Sequence, residues 1–328
     1  MTDFIAPLRL RLDGDALVAN WRWLAGRSGG AACGAAIKAD GYGLGAVEVL
    51  RRLMRAGCRD FFVSNWAEAA VLEPSLDDGV SLSVLHGVRA EDMAVALASR
   101  ARPVLSTPAQ VGRWREAGGG ACDVMVDTGM NRLGLDWRGN VAAQVQGLAI
   151  GTLMSHLASA DEDAAFSAQQ RDRLAALCQA VPARRASLAN SAGICLGEHY
   201  AFDLTRPGLA LYGGIPRGEA TGHIAQVVFP QTQVLQRRRV PAGDSIGYNA
   251  THRAVADMDV AVLNLGYADG YLRGFSGRGM VTAHGGQLPV VGRVSMDLIV
   301  IDVGAQPDIA EGDWLTIDYR LPQASAAS

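Results

Sequence analysis

The sequence predicts an α/β protein, in which an N-terminal (β/α)8 barrel of the TIM type is followed by a C-terminal β-rich domain. Up to about residue 215, short apolar runs alternate with amphipathic segments rich in Ala, Leu and Arg; the runs lie at residues 31–37, 61–64, 81–87, 102–106, 122–127, 151–157, 185–190 and 209–213. Apolar strands joined through helices are typical of a parallel sheet covered on both faces, and eight such units favour a closed barrel. An open doubly wound sheet is the alternative, but no GxGxxG follows the first strand.

The segments between the apolar runs predict helices at Ala46–Ala56, Trp66–Leu72, Ala90–Ala98, Pro108–Ala117 and Ala164–Ala180. After Ile215 the sequence pattern changes: short segments rich in β-branched residues are separated by Gly, Pro and Asp, and helical periodicity is absent. This pattern is typical of a β domain. We predict a barrel over residues 1–217 and a β domain over residues 218–328, with residues 1–13 as a candidate strand of the β domain.

Composition limits the function classes. Charged residues make up 19% of the chain and the formal net charge is -3, which gives no reason to expect nucleic acid or an acidic membrane as a partner. The five cysteines lack a CxxC pair, which favours reduced thiols, and we predict no metal site. No signal peptide is evident and no apolar run approaches the roughly 20 residues that span a bilayer. We therefore expect a cytoplasmic protein.

Polar residues follow most of the predicted strands, where a barrel carries its chemistry. They are Lys38, Asn65, His86, residues 127–132, His156, Asn190, Ser191 and residues 206–208. Strand ends also meet water and are often polar for that reason alone, so for Asn65, His86 and His156 a structural role is the alternative.

Lys38 ends an apolar strand and precedes the glycine-punctuated segment ADGYGLGA. A lysine at a desolvated strand end has a lowered pKa, because burial disfavours its charged form. Such an amine can act as a nucleophile that forms imines. A surface lysine after a strand is the alternative.

Arg206 precedes Pro-Gly, at or just ahead of the predicted eighth strand. The small residues here allow backbone N–H groups to approach an anion such as a phosphate. Ser191, beside Asn190, is a candidate phosphate ligand, although Ser-Ala-Gly is also an ordinary turn.

Several segments resemble signatures of the alanine racemase family, in the order in which the family has them: AAIKADGYGLGA, VDTGMNRLG, SHLASADE, LANSAG, RPGLALYGG, IGYNATHR, LGYADGYLRG and VGRVSMD. Together they extend over most of the chain, as far as residue 297. The resemblance implies a barrel followed by a β domain and pyridoxal 5'-phosphate as cofactor. It also implies a homodimer whose active sites are shared across the interface.

The resemblance assigns Lys38 and Tyr248 as the two acid/base groups. Lys38 would hold the cofactor as an aldimine, and Tyr248 would reach the site from the neighbouring subunit. Two bases on opposite faces of a planar carbanion are what racemisation requires. A tyrosine with a pKa near 10 is a poor base at pH 7, so cations must lower its pKa; His156 and, beyond it, Arg206 are the candidates.

The resemblance also implies binding roles. Arg206 would face the pyridine nitrogen and leave it unprotonated, because arginine does not readily give up its proton. The cofactor would contact Lys38, Tyr42, Arg132, His156, Asn190, Ser191, Arg206, Gly208 and Leu209. The substrate would meet Arg132, Tyr267, Met296 and Asp297, and the last three would come from the partner subunit and narrow the entrance.

The sequence departs from the family pattern at two places. Many members carry a carbamylated lysine that supports the motif arginine, where this chain has Met125. We expect something else to orient Arg132, with an anion or Asn131 as candidates. The family's final segment, which contains a Tyr-Glu pair, is missing after DWLTIDY; Tyr319 lies too early to replace it, and we expect the terminal Ala/Ser run to fray.

The function implied is alanine racemisation, which supplies D-alanine for cell-wall peptidoglycan. A racemase of wider range that accepts serine or another small amino acid is one alternative. A truncated, non-catalytic protein that binds pyridoxal phosphate is the other.

Overall fold

The computed structural model describes residues 5–318, and the chain divides into two compact units. The first unit contains residues 13–227, and the second contains residues 5–12 and 228–318. Residues 218–227 belong with the first unit because Asn20 holds them: its side chain accepts a hydrogen bond from the Ala225 N–H at 2.8 Å and donates one to the Ala225 carbonyl at 2.9 Å. Tyr319 and the terminal Ala/Ser run lie outside the described residues.

The first strand of the chain, β1 (Leu8–Leu12), pairs antiparallel with residues 228–232 of the second unit. The other strands of the N-terminal half are short and belong to the first unit. They are β2 (Ala32–Cys33), β3 (Ala35–Ala36), β4 (Asp60–Val63), β5 (Ser81–Val84), β6 (Arg102–Leu105), β7 (Cys122–Asp127), β8 (Leu135–Asp136), β9 (Ile150–Met154), β10 (Arg185–Ser187) and β11 (Leu204–Thr205).

The strands of the first unit form the predicted parallel barrel. They pair in the order β3-β4-β5-β6-β7-β9-β10, and β8 adds to the end of β7. β2 and β3 are halves of one strand interrupted at Gly34, and β2 pairs in parallel with β11. Backbone hydrogen bonds from Asp203 to Ala186 (3.0 Å) and from Arg206 to Ala189 (2.8 Å) join β11 to β10. The barrel is thereby closed, and the predicted fold class is confirmed.

Helical segments alternate with the strands of the first unit. They are α1 (Gly14–Arg27), α2 (Lys38–Gly43), α3 (Ala46–Ala56), α4 (Trp66–Leu72), α5 (Met93–Ala98), α6 (Pro108–Glu116), α7 (Val141–Gln144), α8 (Ala164–Cys178) and α9 (Ser191–Cys195). Asp, Asn or Thr side chains cap most of their N-termini. α5 begins later than predicted because Asp92 accepts a hydrogen bond from the Arg89 N–H at 3.0 Å and forms a turn there. Among the described residues no helix is long and apolar enough to cross a membrane.

The predicted eighth strand at residues 209–213 is wrong. The strand is β11, five residues earlier, and Leu209–Tyr212 forms a 3-10 helix instead. The Pro207 carbonyl still accepts the Ala36 N–H at 2.8 Å, but Pro207 has no N–H group to donate, so the ladder of backbone hydrogen bonds ends at this residue. Arg206 therefore follows its strand rather than preceding it, and lies at the same end of the barrel as Lys38.

The second unit is β-rich, as predicted. Its further strands are β12 (Val228–Val240), β13 (Ser245–Ile246), β14 (His252–Arg253), β15 (Met258–Leu263), β16 (Met280–Ala283), β17 (Gly286–Val291), β18 (Ile299–Asp302) and β19 (Trp314–Asp318). The antiparallel order is β12-β15-β18-β17-β16-β19, and a β12–β19 pairing closes it. Apolar side chains such as Val281, Ile301 and Leu315 fill the centre.

The strands of the first unit begin at a network of buried charges. Arg185 binds Asp60 through two hydrogen bonds, of 2.6 and 3.1 Å, and Ser81 adds a third at 2.7 Å. Beside them, buried Asp123 accepts hydrogen bonds from the Ser83 hydroxyl and the Thr152 N–H, both at 2.7 Å. Residues at this end of a barrel usually serve stability rather than catalysis.

The Asp60–Arg185 pair gives the first prediction. Burial raises the pKa of Asp60, but the hydrogen bonds from Arg185 and Ser81 and the charge of Arg185 outweigh it, so the pKa lies below its ordinary value. Asp60→Asn should lower the free energy of unfolding by about 1–3 kcal/mol at pH 7, because it leaves the arginine without its carboxylate. Urea unfolding of both proteins measures the difference.

The pKa of the Asp60 carboxyl is lower in the folded than in the unfolded protein. Its contribution to the free energy of unfolding is therefore complete above the unfolded-state pKa and is lost as the pH falls through the folded-state pKa. The gap between wild type and Asp60→Asn should therefore close in acid. Asp78→Asn is the control, because Asp78 pairs with Arg100 while fully exposed and should matter little. Equal effects of the two substitutions would contradict the assignment.

Candidate active site

Lys38 opens a left-handed turn at the end of its strand. The φ angles of Ala39, Asp40, Gly41 and Tyr42 lie between 51° and 64°, so α2 is not a right-handed helix. This conformation costs about 1–2 kcal/mol for each residue with a side chain. Strain of this kind concentrates at functional sites, where the surrounding structure enforces it.

The Lys38 amine lies in an environment that favours its neutral form. Burial lowers its pKa below the ordinary value, and the positive charge of Arg132 lowers it further. Glu68 acts in the opposite direction. A neutral amine is the form that can act as a nucleophile or accept a proton.

Arg206 is buried at the end of β11 with only neutral oxygen atoms as hydrogen-bond partners in the described part of the chain. It is 5% exposed and donates to the Ser155 carbonyl at 2.5 Å and to the Ser187 hydroxyl. Burial lowers its pKa to about 10, and Asp123 only partly opposes this. Arg206 therefore keeps its charge at pH 7, although no carboxylate is hydrogen-bonded to it in residues 5–318.

His156 follows β9 and is neutral. Burial, together with the charges of Arg206, Arg132 and Lys38, lowers its pKa to about 3. These surroundings favour a neutral hydrogen-bonding role for His156 over the cationic role expected from the sequence, because three positive groups already share them.

A group of hydrogen-bond donors surrounds Ser191 at the start of α9. Its hydroxyl accepts hydrogen bonds from the N–H groups of Gly208 (3.1 Å) and Ala210 (3.2 Å). Gly208 leaves room for the Tyr42 side chain, since a Cβ atom at this position would collide with the Tyr42 hydroxyl. Tyr42 is fixed by stacking on Tyr212, with ring centroids 4.4 Å apart.

Asn190 and Leu209 frame this donor group. The Asn190 side chain accepts the Gly193 N–H at 2.9 Å and so caps α9, while the residue also lines the cavity. Leu209 is the first residue of its 3-10 helix, so its N–H group is not used by hydrogen bonds within that helix. Backbone and hydroxyl donors thus converge on one side of the barrel mouth.

Arg132 is exposed, and its loop is fixed from β7. Asp127 accepts hydrogen bonds from the N–H groups of Gly129 and Met130 (2.8 Å each) and of Arg132 (2.9 Å). Burial raises the pKa of Asp127, but these backbone hydrogen bonds outweigh it and the pKa is lowered. Met125 points into the barrel mouth, where it is 7% exposed.

One cavity of about 600 Å³ joins these features, a size that suits a small-molecule cofactor. It is lined by all nine residues predicted to contact the cofactor: Lys38, Tyr42, Arg132, His156, Asn190, Ser191, Arg206, Gly208 and Leu209. Its lining contains the two arginines Arg132 and Arg206 and the amine of Lys38, together with the carboxylates of Asp127 and Asp161. The arginines and the hydroxyl and backbone donors around Ser191 can bind an anionic ligand.

The remaining predicted site residues, Tyr248, Tyr267, Met296 and Asp297, belong to the second unit. The N–H groups of Tyr267 and Ala268 donate to the carbonyls of Ser295 and Met296 at 3.0 and 2.8 Å, which joins their two loops. The Tyr248, Tyr267 and Met296 side chains are 65%, 38% and 59% exposed. This unit thus presents large apolar side chains to its surroundings.

The sequence carries one signal that its analysis missed: Lys38 is the only lysine of the 328-residue chain. Asp127 was named there only among the polar residues at the strand ends; its role as an acceptor follows from the Asp-Thr-Gly turn that it opens, a pattern visible in the sequence. One supporting residue was missed. Gln170 of α8 left no signal, yet it is fully buried, donates to the His156 carbonyl and accepts from the Ala158 N–H, both at 2.9 Å.

Comparison with known proteins places this site in a family. Residues 12–216 match the description "Alanine racemase, N-terminal domain", and residues 227–324 match "Alanine racemase, C-terminal domain". The curated alanine racemase of Rhodospirillum rubrum is 42% identical over 332 residues, which cover 98% of this chain and 89% of that protein. The alanine racemase of Acidiphilium cryptum is 41% identical over 319 residues, covering 94% and 88%.

Solved structures agree with the sequence matches. The alanine racemase from Bartonella henselae, described with covalently bound pyridoxal phosphate, superposes with a TM-score of 0.88 at 33% identity and covers 96% of this chain and 91% of that chain. The biosynthetic alanine racemase from Pseudomonas aeruginosa gives 0.84 at 28% identity, covering 95% and 90%. Both domain descriptions, the curated relatives and the shared fold lead to one conclusion: the chain belongs to the alanine racemase family.

Proposed function

We propose that this protein is a pyridoxal-phosphate-dependent alanine racemase, which interconverts L-alanine and D-alanine and supplies D-alanine for peptidoglycan. The observation that carries the proposal is the pairing, in one cavity, of the chain's single lysine with a buried arginine that lacks a carboxylate partner in residues 5–318. The relative from Bartonella henselae, which holds pyridoxal phosphate covalently, supports the choice of cofactor.

The donor group around Ser191 fits the phosphate of this cofactor. Leu209 provides a backbone N–H group, and Ser191 and Tyr42 provide hydroxyls. The N–H groups of Gly208 and Ala210 already donate to the Ser191 hydroxyl and so leave its own proton to point towards an anion. Gly208 lacks the Cβ atom that would collide with the Tyr42 hydroxyl, so the backbone can approach an anion closely.

Arg206 fits the pyridine nitrogen. With a pKa of about 10 it stays charged at pH 7, so it can donate a hydrogen bond to that nitrogen but does not protonate it. When bound, the cofactor withdraws electrons from the substrate Cα and makes its hydrogen acidic. An unprotonated ring withdraws electrons less strongly, which disfavours side reactions that need deeper delocalisation.

Lys38 and Tyr248 are the two acid/base groups in this proposal. The lowered pKa of Lys38 makes a neutral amine available to accept or return the α-proton on one face of the substrate. Tyr248 does the same on the opposite face. Neutral His156 assists by hydrogen bonding, and the nearby positive charge comes from Arg206 and Arg132.

Arg132 would bind the substrate carboxylate and the phenolic oxygen of the cofactor. Its usual support in many relatives, a carbamylated lysine, cannot form here, since Met125 takes that position and the chain has no lysine besides Lys38. Asp127 fixes the Arg132 backbone instead. Tyr267, Met296 and Asp297 would narrow the entrance to suit a methyl side chain.

A homodimer with shared active sites completes the proposal. The described cavity is lined only by residues of the first unit, so it contains Lys38 but not Tyr248. Tyr248, Tyr267 and Met296 are exposed and can enter the site of a second copy. The cytoplasm suits this enzyme, since all five cysteines are free and four are buried.

The purified protein should exchange the α-hydrogen of alanine with deuterated water and form both enantiomers. Proton NMR and chiral chromatography measure the two outcomes, starting in turn from L- and D-alanine. Lys38→Ala should abolish both. Exchange without formation of the second enantiomer would reject racemisation, and absence of both in a protein loaded with cofactor would reject the proposed function.

Borohydride reduction should fix the cofactor to Lys38 alone. Because the chain has no other lysine, mass spectrometry of the intact protein should show a single pyridoxyl addition that maps to the Lys38 peptide. Lys38→Arg keeps the charge but cannot form the bond, and it serves as the control. An adduct that persists in Lys38→Arg would contradict the assignment.

Hybrid dimers test the sharing of sites. Lys38→Ala and Tyr248→Phe chains should each be inactive or strongly impaired. If the sites are shared, a mixture whose subunits exchange regains about a quarter of wild-type activity, since half of the dimers are hybrids with one intact site of two. If each chain uses its own Tyr248, the mixture stays as inactive as its components.

A further inference from the structure

Glu68 lies outside the proposed machinery and contacts the Lys38 turn. It stands on α4, the helix that follows β4, and its carboxylate accepts a hydrogen bond from the Ala39 N–H at 3.0 Å. Ala39 is the residue directly after Lys38 and the first of the left-handed residues. Glu68 therefore holds the backbone at the point where the turn begins.

The hydrogen bonds within the turn itself are local. The Gly41 N–H donates to the Ile37 carbonyl at 2.9 Å, and Asp40 accepts from the Ala46 N–H at 2.8 Å. These bonds would form in any conformation that preserves the turn itself. The bond to Glu68 differs because it ties the turn to the neighbouring strand and so fixes its orientation.

Glu68 is itself fixed on two sides. The second oxygen of its carboxylate accepts the Ser64 N–H at 2.8 Å, at the end of β4. Its own N–H donates to the Asn65 side chain at 3.0 Å, in the cap of α4. The carboxylate thus lies in the first turn of a helix, where negative charge is favoured, and bridges two adjacent strand ends.

The charge of Glu68 is also distinctive. Other charged or titratable side chains around the cavity are Tyr42, His86, Asp127, Arg132, His156, Asp161 and Arg206. Burial and Arg132 lower the pKa of Lys38, while Glu68 raises it. Among the described residues, Glu68 is the acidic group whose charge raises the pKa of Lys38.

We propose that Glu68 is a positioning residue for Lys38: its carboxylate anchors the left-handed turn to β4 and places a negative charge against the backbone that carries the amine. The inference rests on the proposed function in that Lys38 is the reactive amine. Without Glu68, the amine is less well directed and loses its proton more readily. Glu68 touches neither the substrate nor the cofactor in this role.

The single lysine makes a direct test possible. Protein grown with lysine labelled with ¹³C at Cε gives one lysine signal, and that signal comes from Lys38. We would follow its chemical shift against pH in the full chain after hydroxylamine has removed the cofactor. The midpoint reports the protonation of Lys38 without any measurement of catalysis.

Glu68→Gln should move this midpoint to lower pH, because it removes the neighbouring negative charge. It should also reduce kcat for alanine by roughly tenfold, because the glutamine amide has only one acceptor oxygen for the two N–H groups of Ala39 and Ser64, so the bridge between the turn and β4 is broken on one side. Glu73→Gln is the matched control, since Glu73 also accepts a backbone N–H, from Arg100 at 2.5 Å, and a hydroxyl, from Ser99 at 2.9 Å. It should leave the Lys38 midpoint in place.

A midpoint in Glu68→Gln that equals that of wild type would overturn the proposal. An unfolded variant is recognised because its midpoint rises towards about 10.4, the value of a free lysine, rather than falling. In that case Glu68→Asp is the second variant. Its shorter side chain retains the negative charge but cannot reach the Ala39 N–H as well, so kcat should fall while the Lys38 midpoint stays close to that of wild type. An unchanged kcat in Glu68→Asp would contradict the anchoring role. If wild type does not racemise alanine, the proposed function fails, but the titration still decides whether Glu68 acts on Lys38.

Discussion

A closed parallel barrel brings the ends of all its strands to one rim, and every functional side chain of the first unit depends on that constraint. Lys38, Arg132, His156 and Arg206 come from strands far apart in the sequence. Closure places four cationic or basic groups around one cavity, where each disfavours the charge of the others. Lys38 and His156 respond by losing their protons more readily, whereas Arg206 has a pKa high enough to stay charged. The rim is thus prepared for an anionic ligand before one binds.

Supporting residues hold this unfavourable arrangement together. Asp127 and Glu68 each fix backbone N–H groups in a loop that carries a cation, and Gln170 does the same for the loop after His156. Their hydrogen bonds run mainly to the backbone, so they direct the loops rather than neutralise the side chains. The opposite end of the barrel, where its strands begin, is different: there Asp60 and Arg185 compensate each other directly. One end of the barrel is stabilised by charge pairing, and the other is left rich in positive charge.

Much of this could be predicted from the sequence, since apolar strands at regular spacing indicate a barrel and strand ends indicate the rim. The helices Ala46–Ala56 and Trp66–Leu72 have the predicted bounds because helical periodicity and end signals agree there. The eighth strand was misplaced because LALYG is as apolar as a strand, while Leu204–Thr205 is too short to give a periodic pattern. The neutral state of His156 could not be predicted either, because it depends on charges brought together only by folding. The left-handed turn after Lys38 left a partial signal in its glycines, but Ala39 and Asp40 give no sign of it.

That turn has a consequence for chirality. Ala39, Asp40 and Tyr42 have backbone angles close to the mirror image of an ordinary helix, which is the conformation that D-amino acids adopt without strain. A chain assembled by chemical ligation with D-alanine at position 39 would relax at a point where the natural residue is strained. The stability gained by such a chain would measure the energy stored beside the reactive lysine. A protein proposed to make a D-amino acid thus contains a short stretch of backbone in which that same amino acid would fit better than its natural enantiomer.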